Sequence, residues 1–369
     1  MSIILSEHWK SIQGLLFTGL SDALGEALTD KHKQLAAVLE VVRVCSHVPS
    51  ASRSLLGRPS HDLKCIARAF IAKSVYNLPT TECLIECLQT DVNLRILCGW
   101  QFRHDVPSSA TFSRAFKGFS ESDLGSIVHR HLIATYIGDT PVMHVSLDST
   151  EVIARERAVK KVSTEIRVPR KRGRPKKGEE RPTEEPKRLD IQLDQSAEGA
   201  LADLPKVCNW GSKRDTGGHT HTWKGWKAHI KWGDDNIPLS VVTTSASLHD
   251  SQVAIPMTKQ LAEYVLSFYD LMDSAYDAPQ IRQTCADIGH TALIDPNPRR
   301  SGVPEEKLFD PAMKERYKNR TAAERGNSRL KDEFGLRFLR VRGHAKAHLH
   351  IMFGIIALFA DQLLKPTVA

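Results

Sequence analysis

The stretch from Trp223 to Ser245, WKGWKAHIKWGDDNIPLSVVTTS, contains two runs rich in apolar and β-branched residues, with a polar turn between them. Runs of this kind are typical of β-strands, and we predict strands at Trp223–Lys231 and Ile237–Ser245. Between them, Gly233–Asn236 supplies the residues that tight turns prefer. The stretch therefore predicts a β-hairpin.

Further predicted elements on both sides of the hairpin complete a sheet. Upstream, the apolar and β-branched run Val142–Asp148 predicts a first strand. Downstream, helices and strands alternate. The predicted helices are Ser251–Leu266 and Ala278–Ile288, the predicted strands are Phe268–Met272 and Thr291–Ile294, and a long helix follows at about Pro311–Phe334. Three antiparallel strands followed by this alternation indicate an α/β fold with a mixed sheet. The order resembles that of a ribonuclease-H-like domain, which we expect at residues 139–369.

Residues 1–138 are predicted to form an all-α N-terminal domain. Its predicted helices follow plausible capping residues, and they are Asp62–Tyr76, a helix from Thr80 or Thr81, and Ala110–Phe119. The last helix presents Arg114 together with other polar residues. Several short helices that end in a basic one suit a helix-turn-helix-like DNA reader, although a plain helical scaffold gives the same pattern. Arg114 is thus a candidate DNA contact.

The positive charge of the chain is concentrated in one segment. The 369 residues carry a net charge of +8, and Arg155–Arg188 alone has 14 Lys or Arg against 6 Glu, so the remainder is close to neutral. Its prolines and glycines predict a flexible basic insertion at about residues 155–220. Within it, Arg172 and Arg174 belong to an Arg-Gly-Arg-Pro core that resembles an AT-hook, which inserts arginines into the DNA minor groove. A solvated basic linker explains this composition equally well.

The cysteines and apolar runs indicate a soluble protein. The seven cysteines include no CxxC pair, and Cys83 and Cys87, one helical turn apart, suit a buried apolar face better than a metal site. The first residues lack the apolar core of a signal peptide. The longest apolar run, Ile351–Ala360, is too short to span a bilayer and predicts a buried helix. We expect a soluble, cytoplasmic protein without a membrane partner.

Two predicted strands end on carboxylates, Asp148 and Asp273. Residues at strand ends point into the crevice where α/β sheets usually bind ligands. Hard divalent cations such as Mg²⁺ prefer oxygen ligands, so a few carboxylates and a substrate phosphate suffice to hold them. Each aspartate alone could equally cap a helix or a turn, and a third acid is needed to favour a metal site.

The predicted helix near the C-terminus supplies this acid. Successive residues of an α-helix are rotated by about 100° around its axis. Four residues therefore lie within an arc of about 60°, and they are Tyr317, Arg320, Glu324 and Lys331. A stripe with a phenol, two cations and one acid is not a core face. By itself it could be a solvated, salt-bridged face. Together with the two aspartates, Glu324 would complete a set of three metal-binding acids.

The spacing Y-(2)-R-(3)-E-(6)-K in this helix resembles the signature of a large group of bacterial insertion-sequence DDE transposases. Other short motifs of the same group have counterparts along the chain, and these are Asp273–Asp277, Lys224–His229 with Trp in place of the usual Tyr, His249–Ser251, Gly57–Ser60 and Pro107–Arg114. The likeness covers most of the chain outside residues 155–220.

The resemblance implies a catalytic triad of Asp148, Asp273 and Glu324 that holds two Mg²⁺ or Mn²⁺ ions. In a two-metal site one ion activates water or a 3′-hydroxyl and the other stabilises the leaving oxygen. The remaining residues of the motifs would grip phosphates, and these are Tyr317, Arg320, Lys331, Lys227 and His229. Asp277 is a rival for the second acid, and Asp270, which alternation places on the opposite face from Asp273, is a weaker one.

The same resemblance implies the partners and the reaction. The substrate would be double-stranded DNA, namely the terminal inverted repeats and the target, bound by a homodimer. The chain departs from some relatives, because the fifty residues between Asp273 and Glu324 leave no room for a large β-rich insertion. Processing of the ends through hairpins is therefore open. Two alternatives remain, a ribonuclease-H-like nuclease without joining and a transposase-derived DNA-binding protein that no longer uses catalysis.

Two other groups of residues have a DNA-binding and a structural interpretation. The tryptophans Trp210, Trp223 and Trp226 could stack on extruded bases, although buried strand tryptophans are commoner. Arg340 and Arg342 flank Val341 on a predicted short strand, where they would follow the DNA backbone or simply lie at an exposed edge.

Overall fold

The computed structural model describes residues 28–49, 61–159, 186–214, 217–296 and 309–365. Its helices are α1 Asp30–Val42, α2 Leu63–Val75, α3 Thr81–Thr90, α4 Val92–Cys98, α5 Ser109–Glu121, α6 Leu124–Tyr136, α7 Arg188–Asp194, α8 Ala197–Ala202, α9 Ser251–Ala262, α10 Pro279–Asp287, α11 Pro311–Tyr317, α12 Thr321–Asp332 and α13 His344–Leu364. The strands are β1 Val142–Ile153, β2 Asn209–Arg214, β3 Thr220–Trp232, β4 Pro238–Ser245, β5 Ser267–Met272 and β6 Thr291–Ile294.

The six strands form one mixed sheet in the order β2-β3-β1-β5-β6, with β4 paired to β3. Strand β3 is antiparallel to β1, β2 and β4, whereas β5 is parallel to β1 and β6. The hairpin closes where Gly233 N donates to Ile237 O at 2.8 Å, and Asp235 and Asn236 adopt positive φ angles there. The mixed α/β sheet and the hairpin predicted from Trp223–Ser245 are therefore confirmed.

The first part of the chain is helical wherever it is described, up to Tyr136. Two helices have side-chain caps at their N-termini, where Asp62 Oδ1 accepts from Lys64 N at 2.8 Å and Thr80 Oγ1 accepts from Cys83 N at 3.1 Å. Each bond satisfies one of the free amides at a helix N-terminus. The motif Gly57–Ser60 lies outside the described residues.

Helix α13 joins the N-terminal helices and the sheet into one core. It is buried on nearly all sides and packs against α1, α2, α5 and α6 as well as against β4. Among the described residues it is the one helix long and apolar enough to cross a membrane, but 72% of its most apolar window is buried inside the protein. A helix that is apolar all round and covered by other elements is a core helix, as predicted for Ile351–Ala360.

The structure corrects four predictions about secondary structure. Strand β1 does not end at Asp148 but continues to Ile153. The long C-terminal helix is divided into α11 and α12 by a 3₁₀ turn at Lys318–Arg320. Regular structure is present in the insertion expected to be flexible, because α7, α8 and β2 lie between residues 188 and 214. Arg340 and Arg342 lie in a segment without strand pairing.

Candidate active site

Asp148, Asp273 and Glu324 line one cleft of about 520 Å³. They come from three elements, the middle of β1, the residue after β5 and the first turn of α12. The parallel register pairs Ser146 with Leu271, so its continuation by two residues places Asp148 level with Asp273. Side chains two residues apart point to the same face of a sheet. The sheet register thus brings the two aspartates together without a strand end at Asp148.

Helix α12 is held close to the sheet by a glycine. A Cβ atom on Gly326 would lie 2.6 Å from the indole ring of Trp232, so no larger residue fits without movement. This close approach brings the neighbouring side chains of α12 over β1, where Asn327 Nδ2 donates to Asp148 Oδ2 at 3.0 Å. The contact between Gly326 and Trp232 therefore determines how far the α12 side chains reach into the cleft.

Asp148 is a buried carboxylate in an acidic environment. Burial raises its pKa, and the nearby Asp273 raises the pKa further, while the charge of Lys213 and the amide of Ser149 act in the opposite direction. Loss of hydration disfavours the ionised form of a carboxyl group. A cation in the cleft would therefore stabilise the ionised form of Asp148.

The three acids are held by protein groups in this conformation. Asp273 Oδ1 accepts from Ala275 N at 2.9 Å and so caps the 3₁₀ turn that follows. Glu324 Oε1 lies 2.6 Å from Arg320 Nη2, and the carboxylate side chain is 56% exposed. Among the described residues, no group of three His, Cys, Asp or Glu side chains is close enough together to hold a metal ion. The oxygen donors suit a hard cation, but Glu324 must leave Arg320 to join the aspartates.

Two models of known families match the chain. Residues 163–360 match the family model described as Transposase DDE domain, and residues 24–118 match the one described as Transposase domain (DUF772). The first match spans more than half of the chain. The protein belongs to the DDE transposase family. No curated protein and no solved structure gives a significant match. The first matched range contains Asp273 and Glu324 and begins after Asp148.

The two rival acids are engaged elsewhere. Asp277 Oδ1 accepts two bonds from the Arg282 guanidinium, at 3.1 and 3.2 Å. Asp270 is fully buried, with Lys231 Nζ at 2.7 Å and His290 Nδ1 at 2.8 Å. Neither residue lines the cleft. This placement favours Asp273 as the second acid.

Of the other residues of the predicted signature, Lys331 lines the cleft, whereas Tyr317 and Arg320 bind Met272 and Glu324 without being lining residues. The Tyr317 hydroxyl donates to Met272 O at 3.0 Å, directly before Asp273, and burial raises the pKa of this phenol to about 12. Lys331 Nζ lies 3.5 Å from Glu151 Oε1. Their predicted contacts with phosphates stay predictions, as does that of Arg320.

The structure corrects the predicted role of His229. Its side chain is fully buried, and Nε2 lies 2.9 Å from Thr244 Oγ1. Burial lowers its pKa to about 4, so at neutral pH it is an uncharged residue inside the sheet and cannot contact DNA there. Lys227 does line the cleft, although its Nζ donates to Leu248 O and to Asp250 Oδ1, both at 2.8 Å.

The remaining predicted DNA contacts have different positions. Arg114 on α5 is exposed and Nη2 donates to Thr111 Oγ1 at 3.2 Å. Arg172 and Arg174 lie outside the described residues. Trp223 and Trp226 are buried, as strand tryptophans usually are, whereas Trp210 is 59% exposed. Only Trp210 of the three is accessible for stacking.

Two residues of the cleft were missed by the sequence analysis. Asn327 lies three positions after Glu324 and therefore on the same face of the helix, a signal that could have identified it. Lys213 lines the cleft on β2, and its charge counteracts the rise of the Asp148 pKa. No signal predicted Lys213, because β2 lies in the part of the chain expected to lack regular structure.

Proposed function

We propose that the protein is an active DDE transposase that cleaves DNA at transposon ends and joins the freed ends to target DNA. The observation that supports this proposal most is that Asp148, Asp273 and Glu324, from three separate elements, line one cleft. The mixed sheet with its antiparallel β3 and parallel β5 supports a ribonuclease-H-like catalytic domain. The Y-(2)-R-(3)-E-(6)-K residues around the cleft agree with the signature of the insertion-sequence group.

The three acids would hold two divalent cations, Mg²⁺ or Mn²⁺. When bound, such ions activate an attacking hydroxyl and stabilise charge on the leaving oxygen. Burial raises the pKa of Asp148, so a nearby cation would stabilise the ionised form of this carboxyl group. Asn327 fixes the Asp148 carboxylate from α12.

Arg320 would exchange one anion for another during binding. In the absence of DNA its guanidinium is paired with Glu324. A DNA phosphate in the cleft offers a guanidinium a stronger bidentate partner than a half-exposed carboxylate. Transfer of Arg320 to the phosphate would release Glu324 towards the aspartates. Lys331 and Lys227 would contribute positive charge to the same cleft, and Tyr317 would position the segment before Asp273.

The division of labour along the chain follows the predicted domains. Residues 1–138 would bind the terminal inverted repeats, with Arg114 as an exposed contact. Residues 139–369 would carry out catalysis on DNA held by a homodimer. Phosphate contacts position a protein on DNA without reading its sequence. Repeat recognition therefore depends on residues of the N-terminal helices that reach base edges.

The proposal is tested with purified protein, Mg²⁺ and a labelled DNA that ends in the inverted repeats flanking the reading frame. We expect nicked ends and joined products. Asp148→Asn, Asp273→Asn and Glu324→Gln should each abolish both products, whereas Asp277→Asn and the exposed Asp287→Asn should retain them. Cleavage that survives in the first three variants would refute the triad.

The same assay separates the two alternatives. A ribonuclease-H-like nuclease would give cleaved DNA and no joined product. A transposase-derived DNA-binding protein would bind the repeats and give neither product with Mg²⁺ or Mn²⁺. The presence of all three acids in one cleft favours the transposase over the second alternative.

A further inference from the structure

A second cleft, of about 470 Å³, lies between the N-terminal helices and the segment that follows α12. Its walls come from α2, α3 and α5 on one side and from residues 338–353 on the other. It shares no lining residue with the cleft of Asp148, Asp273 and Glu324. The two clefts are therefore distinct sites.

Five cations line this second cleft, and they are Lys73, Arg155, Arg340, Arg342 and Lys346. Glu82 is the one acid among the lining residues, and its carboxylate accepts from Ser109 Oγ at 3.1 Å. Within the described parts of the chain, none of the five cations forms a salt bridge with a carboxylate. Arg155, Arg340 and Arg342 are exposed and Lys73 and Lys346 are half-buried, so five cations face a single carboxylate and positive charge predominates in the cleft.

The charged form of Lys73 is destabilised by its position in this cleft. Its side chain is partly buried between the two walls. Burial lowers its pKa to about 8, and the positive charge of Arg340 acts in the same direction. An ammonium group whose hydration has been removed gains more from an incoming anion than an exposed one does. The cleft is therefore prepared for negative charge.

Helix N-termini add to the positive electrostatic potential of the second cleft. Thr81 and Glu82 belong to the first turn of α3, Ser109 to that of α5 and Lys346 to that of α13, and all four line the cleft. Neither α5 nor α13 has a side chain that caps its N-terminus. The free amides and the helix dipole favour anions at such ends. Three N-termini and five cations thus converge on one cleft.

We infer that this cleft binds the phosphodiester backbone of double-stranded DNA next to the active site. The inference rests on the proposed function, because it supplies a second contact for the same substrate. Strand β1 connects the two clefts, since it carries Asp148 and ends two residues before Arg155. Seven residues of extended chain span at most about 23 Å, which corresponds to roughly seven base pairs at about 3.4 Å each. The separation of the two clefts is thus within the length of a short duplex.

The test measures DNA binding without catalysis. Full-length protein in EDTA is titrated against a fluorescent duplex at several salt concentrations. Each lost phosphate contact should reduce the slope of log K against log salt by about 0.9. For Arg340→Gln/Arg342→Gln we expect a slope reduced by about 2 and an affinity lowered roughly 10- to 100-fold at about 0.1 M salt. Lys33→Gln/Arg43→Gln, with Lys33 on α1 and Arg43 directly after it, lies outside the cleft; this matched control should change neither.

Two further measurements keep the inference falsifiable. Circular dichroism and thermal melting verify that the variants fold, and Lys346→Gln provides a milder change if the double variant does not. An unchanged slope in a folded variant overturns the inference. A second result also overturns it. If inorganic phosphate protects the wild-type protein against unfolding and all variants bind DNA with equal affinity, the cleft holds a small anion.

The outcome is independent of the proposed chemistry. Asp148→Asn and Glu324→Gln proteins should bind duplex DNA with the same dependence on Arg340 and Arg342 as the wild type. Loss of cleavage activity in every preparation, with cleft-dependent binding intact, would refute the proposed function alone. If Arg340→Gln/Arg342→Gln cleaves and joins DNA and binds it with the affinity of the wild type, this inference alone is refuted.

Discussion

Asn327 Nδ2 donates to Asp148 Oδ2 at 3.0 Å and so connects the helix of one candidate metal ligand to the strand of another. Asn327 is buried, and it lies one helical turn beyond Glu324. The bond fixes one oxygen of the Asp148 carboxylate, whose other neighbours include Lys213, the Ser149 amide, Asp273 and Arg320. We regard Asn327 as a positioning residue.

Replacement of Asn327 tests this view. Asn327→Ala should lower the cleavage rate by about 10- to 100-fold, the usual effect of losing a group that orients a metal ligand. The substitution also weakens metal binding, which Mn²⁺ titration measures without activity. Ser328→Ala, at the next position of α12, serves as the control. Equal metal affinity in Asn327→Ala and wild type would show that the bond only stabilises the fold.

The pair Arg320–Glu324 should compete with metal binding. In Arg320→Gln, the Glu324 carboxylate no longer has to leave a cation, and an exposed pair of this kind contributes up to about 1 kcal/mol. We therefore expect Mn²⁺ affinity without DNA to rise up to about fivefold, while strand cleavage falls because a phosphate contact is lost. Arg325→Gln on the same helix is the control. A lower Mn²⁺ affinity in Arg320→Gln would contradict the competition.

The buried group of Asp270, Lys231 and His290 should dominate acid stability. Burial raises the pKa of Asp270, but the Lys231 ammonium and His290 lower it to about 2. Because this value is below that of the unfolded chain, the contribution of Asp270 is complete above about pH 4 and is lost as the pH falls towards 2. Urea unfolding between pH 7 and pH 2 measures it.

Removal of the Asp270 charge should destabilise the protein even at neutral pH. Asp270→Asn leaves the Lys231 ammonium buried without its counter-charge, and breaking such a pair costs about 3–5 kcal/mol. Asp287→Asn, on the exposed side of α10, should change the free energy of unfolding by less than about 0.5 kcal/mol. Equal stability of the two variants would show that Lys231 finds another partner.

Two glycines in helices should respond in opposite ways to alanine. Gly326→Ala places a methyl group 2.6 Å from the Trp232 ring, and overpacking of this kind costs about 1–3 kcal/mol. The exposed Gly118 in α5 has no atom within 4 Å of an added Cβ, so Gly118→Ala should stabilise the helix by about 0.5–1 kcal/mol. Thermal unfolding compares the two. Cleavage activity should fall only in Gly326→Ala, because α12 moves away from Asp148.

The sheet could be predicted from sequence because its strands have strong local signals. The run Trp223–Lys231 contains two tryptophans and Ile230, the run Ile237–Ser245 is rich in β-branched residues, and a turn lies between them. Both form strands within a few residues of the predicted limits. Strand β2 could not be predicted, since it follows a long basic stretch and has only Trp210 as a large apolar residue. Its pairing with β3 depends on the backbone edge that β3 offers and not on its own composition.

The candidate site was predictable in its residues but not in its contacts. Asp273 is found by its position after an apolar strand, whereas Asp148 was selected because its strand was expected to end there, and β1 in fact continues to Ile153. The burial of His229 could not be read from a motif, because the same K-x-H spacing fits an exposed or a covered strand. The second basic cleft forms from residues more than 250 positions apart, from Lys73 to Lys346, which no local pattern reveals.

Helix α13 has a consequence for the synthesis of the protein. The helices from Asp30 to Tyr136 share their core with residues 344–364, including the stacked rings of Phe70 and Phe353. While a ribosome is still translating the sheet, the apolar surfaces of these early helices that later pack against α13 remain uncovered. They must wait as a nascent chain until the last helix has left the exit tunnel. Premature termination anywhere before α13 should therefore yield an aggregation-prone fragment and not a separate DNA-binding protein.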